Sequence, residues 1–198
     1  MKWLLLFLLF LALLACLFVW HFVSDTASAI AANIEIEIVV RDGRTQANID
    51  AGIGEPWTIE EIAQSVGMDV SVLMEMNGIL DLESIYPGQV LKIQPYSFFD
   101  ETWTSWYEEG PNETMSNGKV FSAEEITTCA HRWLPFGTRV RLTYIKTGTS
   151  IEVVVRDRGP YVDMEKRHFD ISRGAAEKLG IIDVGVAKCH VEILGLEE

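Results

Sequence analysis

The spacing of hydrophobic and polar positions changes character three times along the chain. Trp3 to Val23 is an apolar run broken only by His21 and entered through Met1-Lys2. A run of this length can cross a bilayer as a helix. The small residues Ala27-Ser28-Ala29 behind it supply an A-x-A processing site. Two readings follow: a cleaved export signal or a retained N-terminal membrane anchor. Either places the chain from about residue 33 onward outside the cytoplasm. Leu13-Leu14-Ala15-Cys16 loosely resembles a lipidation site. Apolar residues follow Cys16, however, so it reads as part of the membrane segment.

From residue 34 the period becomes two. Ile34, Ile36 and Ile38 alternate with glutamates, which predicts a strand over 34–41. The period then becomes helical. Thr58-Ile-Glu-Glu-Ile-Ala-Gln-Ser-Val66 predicts a helix with Thr58 as N-cap, and Glu61 three residues later completes a capping box. Ser71–Asn77 predicts a second short helix ended by Gly78, and Val90–Ile93 a short strand.

From Trp103 onward the period is two again. Trp103–Tyr107, Thr138–Ile145, Ser150–Arg156 and Val186–Leu194 are predicted strands. One helix is expected before the last of them, capped by Asp170 or Ser172, lined by Ala175, Ala176 and Leu179, and closed by Gly180. Many short strands with one helix predict a small closed barrel.

Composition alters this picture in three places. The 198 residues carry a formal charge of −13, with 48% hydrophobic residues. Outside the leader the apolar share falls to roughly 42%, ordinary for a globular protein. A multi-spanning membrane protein and a disordered chain are therefore excluded. The acidic balance and the lack of any basic cluster exclude a nucleic-acid binder. Beyond the leader there are two cysteines, Cys129 and Cys189, a disulfide candidate in an oxidising compartment, with two buried free thiols as the alternative. No Cys-x-x-Cys or His-x-x-x-His spacing is present, so neither a metal nor another cofactor is expected. Oligomeric state is not legible.

The order strand, helix, helix, strand resembles a LysM domain. The match runs through Thr58-Ile59-x-x-Ile62-Ala63, Val70-x-Val72-Leu73-x-x-x-Asn77-Gly78 and Ile85-Tyr86-Pro87-Gly88-Gln89-Val90-Leu91-Lys92-Ile93. The resemblance implies a small α+β (βααβ) domain that binds N-acetylglucosamine-containing glycans. It places the groove at Thr58, Ile59, Asn77, Ile79 and Tyr86.

The C-terminal segment resembles the RlpA (rare lipoprotein A) family. The motifs are Trp103-Thr-Ser-Trp-Tyr107, Ser116-Asn-Gly118, Cys129-Ala-His131-Arg-x-Leu134-Pro-Phe-Gly-Thr-Arg-Val140, Val155-Arg-Asp157-Arg-Gly-Pro160, Asp170-Ile-Ser-Arg-x-Ala-Ala176 and Gly185-Val-Ala187. His168-Phe-Asp170 is also similar to a motif of expansins. The resemblance implies a double-psi β-barrel, hence a mainly β protein, and lytic cleavage of peptidoglycan glycan strands to 1,6-anhydro ends.

Such cleavage needs a carboxyl group that first donates and then accepts a proton. Asp157 is the first candidate, at a strand end before the Arg158-Gly159-Pro160 turn. Asp170 is the second carboxyl, and His131 matches a position implicated in catalysis. Trp133, beside His131, is the expected sugar-stacking platform. The family often has Glu-Arg-Phe-Asp after Asn-Gly; here Lys119-Val-Phe-Ser122 stands there, with Glu124 and Glu125 the nearest acids.

The expected organisation is an export signal or anchor over 1–32, a LysM-like domain over 33–94, a linker over 95–101 and the barrel over 102–198. The family's frequent C-terminal targeting domain is not expected, and the LysM-like domain would serve for targeting. The expected partner is peptidoglycan, with membrane contact only through residues 3–23 if they are retained. The alternative function is a non-catalytic, expansin-like protein that binds or loosens the wall.

Overall fold

The computed structural model describes residues 34–41, 57–96, 100–108 and 113–197. The apolar run 3–23, Cys16 and the Ala27-Ser28-Ala29 site lie outside the described residues. Residues Ile34–Glu198 form one compact unit.

The first structured segment follows the sequence pattern closely. Strand β1, Ile36–Val39, pairs antiparallel with β2, Val90–Ile93, so that Ile36 faces Ile93 and Ile38 faces Leu91. These four side chains are buried, and the alternation sets which face carries them. Between the strands lie helix α1, Ile59–Ser65, and helix α2, Val70–Asn77. Thr58 Oγ1 accepts from the Glu61 amide at 3.2 Å, and the Glu61 carboxylate accepts from the Thr58 amide at 3.1 Å. The capping box is therefore formed. Helix α2 begins at Val70 because Asp69 caps it, accepting from the Ser71 amide at 2.8 Å. It ends at Gly78, whose φ of 62° suits a residue without a Cβ.

The remaining strands are β3 (Glu101–Tyr107), β4 (Thr128–His131), β5 (Thr138–Tyr144), β6 (Ser150–Asp157), β7 (Arg167–Ser172) and β8 (Val186–Leu196). They close into a barrel in the order β3-β7-β4-β6-β5-β8. Two pairings, β3 with β7 and β4 with β6, are parallel; the others are antiparallel. The protein is mainly β and the barrel is of the double-psi kind. Val140, Leu142, Val153, Val155, Phe169, Ile171, Val191 and Ile193 are buried in it. Each such side chain contributes about 1.5–3 kcal/mol of burial free energy. Helix α3, Arg173–Leu179, follows β7 directly. Ser172, not Asp170, is its N-cap, because Asp170 lies inside the strand. A Cβ at Gly174 would sit 2.5 Å from the Glu124 carbonyl oxygen, so this close approach requires glycine.

Strands β4 and β7 were not legible as alternating segments. All four residues of β4 are buried, and β7 exposes none of its side chains fully. A strand enclosed on both faces loses the period-two signal.

The disulfide expectation is corrected. Cys129 and Cys189 are free, buried thiols. Cys129 is on β4 and Cys189 on β8, which lie three strands apart in either direction around the six-strand ring. Strands are spaced about 4.8 Å apart, whereas a disulfide needs Cα atoms within about 7 Å. Burial pushes both thiols up, Cys189 to about 11. Neither cysteine should react with a thiol reagent in the native protein, and both should react after unfolding in denaturant without reductant. Peptide mass spectrometry that counts labels on Cys129 and Cys189 alone checks this; neither of them labelled after unfolding would restore the bridge.

The βααβ segment packs on the barrel through Arg132, which is 1% exposed. Its Nε donates to Ser65 Oγ at 3.0 Å. Nη1 donates to the carbonyls of Pro160 (2.6 Å) and Arg167 (2.9 Å), and Nη2 to that of Met164 (2.9 Å). Tyr96 stacks on Phe169 with centroids 5.7 Å apart, and Trp57 meets Trp133 edge-on at 4.9 Å. Arg41, which follows β1, lies over the Trp133 ring at 4.6 Å and donates to the Arg132 carbonyl.

Candidate functional site

Asp157 is the last residue of β6 and is 7% exposed. The register between β4 and β6 slips here: Cys129 faces Val155, but Ala130 faces Asp157. On its other side Ala130 faces Asp170 of β7. The two carboxylates therefore flank the small side chain of Ala130 at one level of the barrel, on strands roughly 10 Å apart. Irregularities of this kind re-aim side chains next to active sites.

Asp157 is held tightly. Its Oδ1 accepts from the Ser116 amide (2.8 Å), the Ser116 hydroxyl (2.6 Å) and the Arg158 amide (2.8 Å). Among the described residues its Oδ2 accepts only a long bond from the Tyr107 hydroxyl, at 3.4 Å. One oxygen is thus committed to fixing the side chain, and the other is only weakly engaged. The Ser116-Asn-Gly118 motif is the loop that supplies two of these bonds, with Gly118 at a φ of 82°. Gly159, at a φ of 141°, lets the chain turn immediately after Arg158.

Asp170 accepts from Ser105 Oγ at 2.8 Å. Burial holds its carboxyl above the ordinary aspartate range, and the charge of Asp157 pushes the same way, while Ser105 and Arg167 oppose. A proton held in the folded state but released in the unfolded chain makes stability fall as pH rises. The loss begins at the ordinary aspartate value and is complete above the raised folded value. Asp170→Asn should remove this slope, so that wild-type Tm declines relative to the variant across the acidic range. Parallel Tm–pH curves for the two proteins would refute the assignment.

His131 does not join this pair. It is fully buried. Its Nδ1 accepts from the amides of Trp133 and Leu134, both at 3.0 Å, which puts the proton on Nε2. Nε2 lies 2.9 Å from the Ser65 carbonyl and 3.0 Å from the Tyr96 hydroxyl. Burial and then the charge of Arg132 push the imidazole well below its usual range. His131, expected to hydrogen-bond a carboxyl or substrate, is here a buried neutral residue in the packing between α1 and the barrel. Its carbonyl accepts from Arg158 Nη1 at 3.0 Å, so its effect on the site is indirect.

Trp133 is corrected too. It is 3% exposed, enclosed by Trp57 and Arg41, and offers no face to a sugar. Trp103, at 41% exposed, is the accessible tryptophan of the barrel motifs. Lys119 is exposed. Glu124 pairs with Arg173, and Glu125 accepts from the Thr127 amide and hydroxyl.

The expected groove residues of the βααβ segment divide likewise. Ile59 and Ile79 are core residues, at 0% and 8% exposure. The Asn77 side chain bridges α2 and β2: Nδ2 donates to the carbonyls of Leu73 and Lys92, and Oδ1 accepts from the Lys92 amide. These three are corrected to structural roles, because an enclosed or fully engaged side chain has nothing to offer a ligand. Thr58 is exposed as the cap, and Tyr86 is 63% exposed. Leu80 (96% exposed) and Leu82 (43%) stand near Tyr86 in sequence and were not anticipated.

Reading the motifs missed the working parts around Asp157. Ser116, Ser105 and Tyr107 lie inside the quoted motifs, but only the fold shows which carboxylate each one meets. Among the described residues, no three His, Cys, Asp or Glu side chains gather as a metal site. A cavity of about 470 Å³ lined by Arg41, Ser116, Phe136, Arg158 and Tyr161 adjoins Asp157 through Ser116. A larger one, about 830 Å³, lies between α1 and the barrel and includes Trp57, Trp103 and Lys166, but neither carboxylate.

Comparison with known proteins agrees with this architecture. Residues 101–191 match the family described as lytic transglycolase, and residues 54–94 match the LysM domain. A protein of Nostoc sp. named "Probable endolytic peptidoglycan transglycosylase RlpA" is 48% identical over 80 residues, 40% of this chain and 21% of that protein. One of the same name from Synechocystis sp. is 41% identical over 91 residues, 46% of this chain and 27% of that protein. The chain thus spans about a quarter of the length of these relatives. Among solved structures, an expansin of Clavibacter michiganensis matches with a TM-score of 0.37 and 20% identity, over 48% of this chain and 50% of that one.

Proposed function

We propose that this chain, in which a lytic transglycolase barrel of the RlpA kind follows a LysM domain, is an exported enzyme that cleaves peptidoglycan glycan strands to 1,6-anhydro ends. The observation that carries the reading is the pair Asp157 and Asp170 about Ala130, with one oxygen of Asp157 pinned by three hydrogen bonds and the other left for chemistry.

In the first step protonated Asp157 gives its proton through Oδ2 to the glycosidic oxygen, and the bond from that oxygen to C1 of the muramic sugar breaks. Positive charge builds on the sugar as in other glycosidic cleavages. The neighbouring Asp170, across Ala130, is the second carboxyl of the site. In the second step the C6 hydroxyl of the same sugar attacks C1, and its proton passes to Asp157. One glycosidic bond is exchanged for an internal C6–O–C1 bond, no water is consumed, and Asp157 ends protonated as it began.

Residues 1–32 direct export, and residues 33–94 hold the chain on glycan, with Tyr86 and the cap loop at Thr58 as the exposed parts of the expected groove. Purified protein is incubated with glycan strands stripped of peptides and with intact peptidoglycan, and the products are read by mass spectrometry. New 1,6-anhydro ends support the reading. Retention of the protein on both substrates without any product favours the non-catalytic wall-binding alternative.

A further inference from the structure

The cavity next to Asp157 is lined by two guanidinium groups that come from different parts of the chain. Arg158 belongs to the barrel and Arg41 follows strand β1. Each is fixed from behind. The Arg158 guanidinium lies 3.8 Å from the centroid of Phe136, with Nη1 donating to the carbonyls of His131 (3.0 Å) and Leu134 (2.8 Å). Among the described residues its Nε and Nη2 have no hydrogen-bond acceptor. Arg41 is stacked on Trp133 and anchored by Nη2 on the Arg132 carbonyl. Among the described residues neither arginine forms an ion pair with a carboxylate.

Two cations facing one cavity repel each other, and the nearby charge of Asp157 opposes this only in part, without an ion pair to either arginine. Burial and then the charge of Arg41 pull Arg158 down to about 10. In a chain of net charge −13 this locally positive cavity stands apart from its surroundings. A guanidinium whose face is stacked presents its edge, and that edge fits a planar carboxylate through paired hydrogen bonds.

We infer that Arg41 and Arg158 form a carboxylate subsite beside Asp157, built jointly by the LysM-bearing segment and the barrel, that seats an acidic group of the glycan substrate. The inference rests on the function proposed above for the substrate class. Ser116 lines the cavity and also holds Asp157, so a carboxylate seated there sits one residue from the proton-transfer group. Muramic sugars carry a lactyl carboxylate, free on stripped strands and locked in an amide where a peptide is attached. Stem peptides carry carboxylates of their own. Seating either would bring a muramic sugar, whose C6 hydroxyl must attack, alongside Asp157.

The test is binding of glycan strands to the full chain carrying Asp157→Asn, with and without Arg41→Gln, measured by calorimetry. Three substrates are compared: stripped strands, stripped strands whose carboxylates have been converted to amides, and peptide-bearing strands. Amidation should weaken binding to the Arg41-containing protein roughly tenfold or more, the scale of a charge-assisted hydrogen bond. Arg41→Gln should cause a similar loss on unmodified strands and less than a twofold change on amidated ones. Arg41→Lys should recover part of the loss. Arginine-dependent binding of stripped strands alone identifies the lactyl group, and of peptide-bearing strands alone a stem carboxylate; both support the subsite.

Equal affinity for native and amidated strands overturns it, as does an Arg41→Gln loss of the same size on both. The amidation arm uses protein unaltered at Arg41, so it stands even if that variant folds poorly. Carboxylate-dependent binding without anhydro products from wild-type protein would leave the subsite in place and remove the catalytic reading.

Discussion

Asp157→Asn is expected to lower release of 1,6-anhydro ends by roughly 10²–10⁴-fold, the range for loss of a positioned general acid–base group. Asparagine is close in shape, and its carbonyl oxygen can still accept from the Ser116 amide and hydroxyl and the Arg158 amide. The fold and strand binding should therefore survive, and the loss should appear in kcat with KM little changed. Ser116→Ala should lose less, because it removes one of the three bonds to Oδ1 and leaves the carboxyl present. Product counting by mass spectrometry, with Tm as the control for folding, checks both variants. An Asp157→Asn protein that releases anhydro ends at the wild-type rate would move the chemistry to another group, with Asp170 the first to examine.

Arg132→Met is expected to destabilise the protein by about 3 kcal/mol or more. The variant leaves the carbonyls of Pro160, Met164 and Arg167 and the Ser65 hydroxyl without their donor, and unsatisfied buried polar groups cost about 1–3 kcal/mol each. Part of that cost is offset by the apolar methionine filling the space. For a chain of this size the shift is roughly 6–12 °C in Tm. The βααβ segment should also separate from the barrel, giving two transitions in denaturant where the wild type gives one. Arg132→Lys should lose most of the same stability, since one ammonium cannot reach four acceptors lying in different directions. A lysine variant as stable as wild type would show that charge, not the arginine fork, holds the contact.

How legible each part was depends on the range of the interaction that fixes it. The capping box at Thr58 and Glu61, the Gly78 stop of α2 and the alternation of β1 and β2 were readable because their partners lie within a few residues or on one face of one strand. Strands β4 and β7 were not, because both sit inside the barrel wall with little alternation to read. The site shows the same division. Asp157 and Asp170 were named from motifs, and His131 and Trp133 of the same motifs are buried. Their neighbours Ser65, Tyr96 and Trp57 come from the other part of the chain. Arg41 carried no signal at all: it lies 116 residues before Asp157 in sequence and reaches the site through its contacts with Arg132 and Trp133 of the barrel.

The sequence alone determined the local elements, the net negative charge, and the two carboxylates on which the proposed chemistry rests. Each of these follows from residue type and short-range spacing. Tertiary structure decided that Cys129 and Cys189 stand across the barrel as separate thiols, that His131 is a buried neutral packing residue, and that two arginines from distant segments share one cavity. Those outcomes depend on strand order around a closed ring and on how two packed segments meet, and neither is encoded in the period of any single stretch of chain.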